Sequence, residues 1–237
     1  MLDKFRMSFW SDIFHLFVPR VCPACGKLLI EGERTFCTLC RATAPLTNHP
    51  TEAHNALLDH LRTTFPVERA AALMRFPKGS GWRQAVHDFK YAGSWRIAFE
   101  CGCWLGEALA EGGLFYDVDF VVPVPLHRRK LLRRGYNQAE YLAKGVAKSL
   151  ERPMVCGNLV RTTNNPSQAL KRTNERWENV EGIFRLLRPE EFEGRHILLV
   201  DDVVTSGATI GSCATEILRA APTAKVSICT FATAHYD

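Results

Sequence analysis

Two adjacent aspartates, Asp201 and Asp202, directly follow a run of four aliphatic residues, 197–200. A continuous apolar run of this length is typical of a central strand in a parallel sheet. A short turn of small and hydroxyl-bearing residues comes next, and the spacing predicts a helix over 209–220. In open α/β sheets, ligands bind at the carboxyl ends of the strands. The pattern therefore predicts a ligand site with two carboxylates beside a turn.

The turn and the carboxylates suit opposite ends of one ligand. Backbone N–H groups and the helix N-terminus suit a phosphate dianion, and the turn residues are Thr205, Ser206, Gly207, Ala208 and Thr209. The carboxylates instead suit the vicinal hydroxyls of a ribose, so a ribose 5-phosphate group would be bound at both ends. An ordinary strand–turn–helix unit does not explain adjacent carboxylates at a buried strand end. The chain contains neither a Walker A motif nor the G-x-G-x-x-G fingerprint.

Four of the nine cysteines form two closely spaced pairs. Two residues separate the members of each pair, so both thiolates can reach one ion from a tight turn, and Gly26 permits a left-handed turn conformation. A redox pair or an iron–sulfur cluster uses similar spacings, but the matched double pair favours structural Zn²⁺. Metal binding would supply the folding energy of such a small module. The predicted ligands are Cys22, Cys25, Cys37 and Cys40.

Positive charge is concentrated in one part of the chain. The 237 residues have a net charge of +5, but residues 127–176 hold twelve Lys or Arg against three Glu, a local net charge of +9. This block suits an anionic partner such as phosphate, nucleotide or nucleic acid, although a solvated helix face has the same composition. Hydrophobic residues make up 46% and charged residues 23%, which excludes a disordered chain, a collagen-like chain and a coiled-coil rod.

The elements that must position these residues alternate between strand and helix. Apolar runs predict strands over 69–76, 120–122, 197–200 and 226–232. Helical spacing predicts helices over 53–61, 82–90, 95–110, 138–150 and 209–220. This alternation predicts an α/β domain with a mainly parallel sheet.

These segments together resemble the competence-associated ComF family. Residues 197–209 resemble the motif with which type I phosphoribosyltransferases bind 5-phosphoribosyl 1-pyrophosphate (PRPP), and the cysteine quartet resembles the N-terminal zinc module of the ComF family. The other matching segments are residues 89–93, 121–126, 134–138 and 168–170, with Arg172, Arg176, Asn179, Val180 and Phe184. The order of these motifs makes the resemblance specific, and it covers almost all of residues 20–234.

The resemblance implies a fold and a ligand. The fold is a type I phosphoribosyltransferase-like, mainly parallel sheet flanked by helices and preceded by a small zinc ribbon. The ligand is PRPP with Mg²⁺ or a related phosphoribosyl ligand, with Asp201 and Asp202 as the catalytic pair. The basic segment after Pro125 would form a loop that approaches the pyrophosphate, and a loop over 168–176 would close over the site. The basic residues expected to contact the ligand are Arg128, Arg129, Arg134, Arg172 and Arg176.

The implied activity is transfer of the phosphoribosyl group with release of pyrophosphate, to an acceptor that the sequence does not identify. The resemblance also implies a role in DNA uptake and natural transformation, with competence proteins as partners. The alternative is a non-catalytic accessory protein that binds single-stranded DNA through the basic segment and Tyr136, Tyr141 and Trp177. A third hypothesis is an interaction protein that docks through apolar residues of its first segment, Phe9, Trp10, Phe14 and Phe17.

Four regions are expected along the chain. They are an amphipathic helix over 1–18, the zinc ribbon over 19–45, a linker and helix over 46–66, and the phosphoribosyltransferase-like domain over 67–237. The first region lacks the uninterrupted apolar segment and cleavage site of a signal peptide, and no apolar stretch approaches the ~20 residues of a membrane span. We therefore expect a cytoplasmic protein.

Overall fold

The computed structural model describes residues 20–76, 81–88, 95–163 and 182–234. The predicted helix over 1–18 and the motif over 89–93 lie outside the described residues. The helices are α1 (Thr38–Ala42), α2 (Ala56–Arg62), α3 (Gly81–Asp88), α4 (Trp95–Gly112), α5 (Arg128–Arg134), α6 (Gln138–Leu150) and α7 (Ala208–Ala220). The strands are β1 (Ala70–Arg75), β2 (Phe120–Pro123), β3 (Leu159–Arg161), β4 (Phe184–Leu186), β5 (His196–Val204) and β6 (Lys225–Thr233).

The chain divides into two compact units. The first comprises residues 1–44 and 77–88, and the second comprises residues 45–76 and 89–237. The first unit therefore contains the cysteine quartet and α3. In this unit the Trp82 ring lies 4.7 Å from the Phe36 ring, and Trp82 is buried. A Cβ atom on Gly81 would lie only 1.7 Å from the carbonyl oxygen of Ala24, so only glycine allows α3 to pack this closely.

The second unit contains a four-stranded sheet in the order β1-β6-β5-β2, and all its neighbouring strands are parallel. The register pairs Val122 with Leu199, and Leu199 with Ile228. A separate antiparallel pair, β3 and β4, aligns Leu159 with Leu186. The predicted α/β class with a mainly parallel sheet is confirmed. No described helix has the length and hydropathy that a membrane span requires.

Helices cover both faces of the sheet, which explains why β5 begins as a continuous apolar run. Ile197 and Leu199 belong to the core that includes residues of α2 and α7. Because side chains alternate along a strand, Leu198 and Val200 point to the opposite face, where α6 packs against β2 and β5. All four side chains are fully buried.

Two boundaries near the candidate site differ from the sequence prediction. Strand β5 continues to Val204, so Asp201 and Asp202 are part of the strand, and α7 begins at Ala208. The basic segment forms the short helix α5, where the resemblance implied a loop. Arginine, lysine and leucine favour a helix, and Gly135 ends it in the left-handed conformation with a φ of 82°.

Candidate functional site

The candidate site is an open cleft at the carboxyl end of β5. About 320 Å³ of space that is open to solvent lies in the cleft, and Asp201, Thr230 and the turn from β5 into α7 line it. Register places Asp201 beside Thr230 on the neighbouring strand β6. The predicted turn residues Thr205, Ser206, Gly207, Ala208 and Thr209 all line the cleft. The structure therefore brings one of the two predicted carboxylates together with the whole predicted turn.

The turn leaves the start of α7 open to a ligand. Gly207 is the N-cap residue with a φ of 74°, and no side chain caps this helix among the described residues. The orphan N–H groups of a 13-residue helix and its dipole attract an anion. A Cβ atom on Gly207 would lie 2.6 Å from Cδ2 of Leu61, so α2 packs closely against the turn. His60 Nε2 also lies 3.4 Å from the carbonyl oxygen of Ser206.

The two aspartates occupy different faces of β5. Asp201 faces the cleft, whereas the carboxylate of Asp202 accepts a hydrogen bond from Gln138 Nε2 at 3.4 Å. This arrangement follows from the alternation of side chains along a strand. Both carboxylates also accept from backbone N–H groups, Asp201 from Asp202 at 2.9 Å and Asp202 from Val203 at 2.8 Å. These bonds hold both carboxylates close to the strand.

Gln138 was not among the predicted site residues, although it ends the matched motif 134–138. The residue opens α6, and its side chain is only 7% exposed. No spacing rule connects it with Asp202, which is 64 positions further along the chain. Only the packing of α6 against β5 brings the two side chains together.

The predicted basic ligands are separated from the cleft lining. Arg128 and Arg129 are exposed on α5, Arg134 is half-buried, and none of the three lines the cleft. Helix α5 nevertheless follows the carboxyl end of β2, where Val124 N donates to the carbonyl oxygen of Val200 at 2.9 Å. Arg172 and Arg176, with the predicted loop over 168–176, lie outside the described residues.

An aromatic cluster joins Trp95 to Tyr136 and Tyr141, which follow the basic helix α5 in sequence. The Tyr141 ring is 5.4 Å from the Trp95 ring and 5.5 Å from the Tyr136 ring, and the Arg96 guanidinium lies 5.2 Å from the centre of the Trp95 ring. Burial raises the pKa of Tyr136 to about 12, although the nearby Arg134 opposes the shift. Trp95 was missed because it precedes Tyr141 by 46 positions, and the predicted Trp177 lies outside the described residues.

The four predicted cysteines form one cluster. Their Sγ atoms all lie within 4.8 Å of one another, and Cys25 Sγ is 3.7 Å from Cys37 Sγ. A tetrahedron with Zn–S bonds of about 2.3 Å has edges of about 3.8 Å, so the cluster fits Zn²⁺. Burial opposes ionisation of Cys22, but hydrogen bonds from the surrounding backbone outweigh it and lower the pKa of this thiol to about 7. Burial and the neighbouring thiols raise the pKa of Cys40.

Comparison with known proteins shows the family to which this fold belongs. The phosphoribosyl transferase domain family matches residues 132–236. The DNA utilization protein YhgH of Escherichia coli K12 is 34% identical over 216 residues, covering 86% of this chain and 93% of that protein. Competence protein ComFC of Bacillus subtilis 168 is 34% identical over 227 residues, covering 92% of this chain and 86% of that protein.

Similar chains are also found among solved structures. The HGPRT-ase from Leishmania tarentolae, solved in complex with GMP, is 16% identical, and the aligned region covers 62% of this chain and 65% of the HGPRT-ase chain. The TM-score is 0.29, which is too low to support an argument about the fold or the ligand.

Proposed function

The chain belongs to the ComF family, and from this membership we propose that it binds PRPP with Mg²⁺ and transfers the phosphoribosyl group with release of pyrophosphate. The observation that carries the proposal is the cleft in which Asp201 lies with an uncapped helix N-terminus. One end of this cleft suits a phosphate, and the other accepts hydrogen bonds from sugar hydroxyls. A phosphoribosyl group has both features.

Different residues of the chain would bind the 5-phosphate, the ribose hydroxyls and the pyrophosphate. The turn 205–209 would hold the 5-phosphate through backbone N–H groups. Asp201 from the cleft and Asp202 from the other face of β5 would accept hydrogen bonds from separate ribose hydroxyls near the end of the strand. A nitrogen nucleophile then forms a bond to C1 of the ribose as the bond to pyrophosphate breaks, and pyrophosphate leaves with the electron pair. Mg²⁺ would supply charge neutralisation on this leaving group. Arg128, Arg129, Arg134, Arg172 and Arg176 are proposed to add positive charge around it.

Calorimetric titration with PRPP and Mg²⁺ tests this function. We expect saturable binding by the native protein and a loss of at least about tenfold in affinity for Asp201→Asn, because this variant removes a charged acceptor from the cleft. Asp59→Asn is the control, since Asp59 is an exposed carboxylate on α2 outside the cleft lining. Absence of binding by folded native protein would refute the proposal. Pyrophosphate release in the presence of candidate nitrogen acceptors then tests for transfer.

Binding of single-stranded DNA is the second candidate function. The cluster of Trp95, Tyr136 and Tyr141 supports it, because aromatic rings beside cations provide stacking surfaces for unpaired bases. Relatives named for DNA utilization and competence support the same hypothesis. We propose on this ground that DNA and competence proteins are partners of the chain.

Fluorescence anisotropy with an oligothymidine separates the two functions. We expect the affinity to fall as the salt concentration rises, and the logarithm of the binding constant should change with the logarithm of the salt concentration with a slope of about −0.7 per phosphate neutralised. We also expect Trp95→Ala to weaken binding by about tenfold. Tyr116→Ala is the control because Tyr116 is a highly exposed aromatic residue outside this cluster. Equal effects of the two substitutions would exclude the cluster as the binding surface. Asp201→Asn should leave DNA binding intact.

The cysteine cluster is proposed to hold a structural Zn²⁺. The four thiolates would complete a tetrahedral coordination shell, and bound Zn²⁺ would cross-link the two cysteine pairs. Cys37 also caps α1, since its sulfur accepts a hydrogen bond from Cys40 N at 3.4 Å. We propose a cytoplasmic location, where a reducing environment keeps such thiols available for the metal.

A further inference from the structure

Gln138 carries a buried hydrogen-bond acceptor that is not used. Its side chain is 7% exposed, and its Oε1 atom has no hydrogen-bond partner among the described residues. Burying an acceptor without a partner costs free energy, so most native structures avoid it. Gln138 contacts Asp202, one of the two candidate carboxylates, so a hydroxyl of a ligand bound at Asp202 would supply the missing donor.

The amide of Gln138 has one favourable orientation. Its Nε2 atom donates to Asp202 Oδ2 at 3.4 Å. The reversed amide would bring Oε1 against the carboxylate, where two acceptors repel each other. The Nε2 atom therefore donates to Asp202, and Oε1 is available to accept a hydrogen bond from another group. Asp202 receives a second donor from Val203 N at 2.8 Å, so both of its oxygens are oriented.

The start of α6 is anchored to the edge of the sheet. Asn137 caps the helix by accepting from Ala139 N at 3.2 Å, and its Nδ2 donates to the carbonyl oxygen of Val124 at 3.1 Å. Val124 directly follows β2 and donates in turn to Val200 of β5. This chain of bonds holds Gln138 beside Asp202, so the amide is set in place before a ligand arrives.

We propose that Gln138 is a specificity-determining residue that orients Asp202 through Nε2 and accepts a ribose hydroxyl through Oε1. The inference rests on the proposed phosphoribosyl function and deepens it by adding a contact that depends on the presence of a ribose hydroxyl. A site that pairs with a substrate hydroxyl discriminates strongly against an analogue without it, because the buried groups are then left unpaired. The predicted ligands are therefore ribose phosphates and not deoxyribose phosphates.

Titration with three sugar phosphates tests the inference. Ribose 5-phosphate, 2-deoxyribose 5-phosphate and 3-deoxyribose 5-phosphate are compared on the native protein and on Gln138→Met. We expect the native protein to bind ribose 5-phosphate at least about tenfold more tightly than one deoxy analogue, and Gln138→Met to remove most of this preference. The variant should keep or raise the unfolding temperature, since it removes an unpaired buried acceptor.

The matched control is Gln84→Met. Gln84 also lies on a helix and donates through Nε2 to an aspartate, Asp88, at 2.8 Å, but on the exposed surface of α3. This substitution should leave the preference for ribose unchanged. A purely structural role of Gln138 would instead lower the unfolding temperature of Gln138→Met and weaken all three sugar phosphates equally, which would overturn the inference.

A second variant, Gln138→Glu, covers the case in which Gln138→Met does not fold. Its ionised carboxylate keeps acceptor oxygens but cannot donate to Asp202, so binding of ribose 5-phosphate should weaken at pH 8. Protonation restores a donor, and the ratio of variant to native affinity should recover by about tenfold as the pH falls to 5. A ratio independent of pH would overturn the inference.

The outcomes also separate the inference from the function on which it rests. The role of Gln138 is overturned if Gln138→Met keeps the preference for ribose or if the native protein binds all three sugar phosphates equally. Phosphoribosyl binding itself would stand in both cases. Failure of the native protein to bind both ribose 5-phosphate and PRPP overturns the proposed function and the inference with it.

Discussion

At the scale of single residues, His196 lies in a polar cluster with Asp117, Arg69 and Ser227 at the amino end of β5. Its Nε2 lies 2.8 Å from Ser227 Oγ, and its Nδ1 lies 3.3 Å from Asp117 Oδ2. Arg69 in turn donates to Asp117 at 2.6 Å. Burial lowers the pKa of His196, although Asp117 opposes the shift. Burial raises the pKa of Asp117, but Arg69 and His196 outweigh it and hold this pKa below its usual value.

These shifts predict how stability depends on pH. Because the pKa of His196 is lower in the folded chain than its unfolded value of about 6.5, the unfolded chain binds more protons below that pH and stability falls. Between the unfolded and the folded pKa of His196, the free energy of unfolding falls by about 1.4 kcal/mol per pH unit. Below the folded pKa, His196 causes no further loss. Asp117 contributes at lower pH, since its stabilising effect is lost only below its unfolded pKa of about 3.9.

Urea denaturation at pH 7, 6 and 5 measures this effect. We expect the free energy of unfolding of the native protein to fall more over this range than that of His196→Gln, which cannot gain the proton. His54→Gln is the control, because His54 is exposed and its substitution should leave the slope unchanged. Equal slopes for the native protein and His196→Gln would show that this histidine does not control acid stability.

At the scale of the elements, glycines set the distance between α4 and α6. A Cβ atom on Gly102 would lie 2.0 Å from the carbonyl oxygen of Leu142, and one on Gly145 would lie 2.3 Å from that of Phe99. These contacts are with backbone atoms, which cannot rotate away as a side chain can. The position of α6, and with it that of Gln138 beside Asp202, therefore depends on these glycines.

The packing of α4 and α6 reverses the usual effect of replacing a helical glycine. Alanine normally stabilises an exposed helix interior by about 1 kcal/mol relative to glycine. We expect Gly102→Ala to destabilise the second unit by about 1–3 kcal/mol or more, because the two helices must separate. Urea denaturation measures the change, and the exposed Glu111→Ala in the same helix should stay within about 0.5 kcal/mol. Unchanged or increased stability of Gly102→Ala would contradict the close packing.

At the scale of the whole molecule, the two units differ in what stabilises them. The second unit contains the sheet and the extended apolar core. Among its described residues, the first unit has few buried apolar side chains, including Phe36 and Trp82, and the four clustered thiols. A small core without a bound metal or a disulfide is marginal. Stability of the first unit is therefore expected to depend on Zn²⁺.

Metal removal tests this dependence. We expect a chelator to shift tryptophan fluorescence to longer wavelength as Trp82 becomes exposed, while the circular dichroism of the sheet unit persists. Cys37→Ser should reproduce the shift without a chelator. Cys156→Ser is the control, since Cys156 is exposed and outside the cluster. A chelator-induced shift that persists in Trp82→Phe would assign the change to another tryptophan and contradict the prediction.

The sequence alone determined the features that depend on neighbours along the chain. The apolar run of β5, the bounds of α6 at Gln138–Leu150 and the paired cysteines follow from periodicity and local spacing. The turn after β5 follows in the same way, because its residues are contiguous. Each of these features could be assigned without knowing which elements lie side by side.

Tertiary structure alone decided which distant residues meet. The pairing of Gln138 with Asp202, the contact of Trp95 with Tyr141, and the grouping of His196 with Asp117 and Ser227 join residues that are widely separated in sequence. Strand order, register and the close packing of α4 on α6 create these contacts. Local spacing does not specify them, because a side chain's neighbours across a sheet depend on which strands and helices pack together.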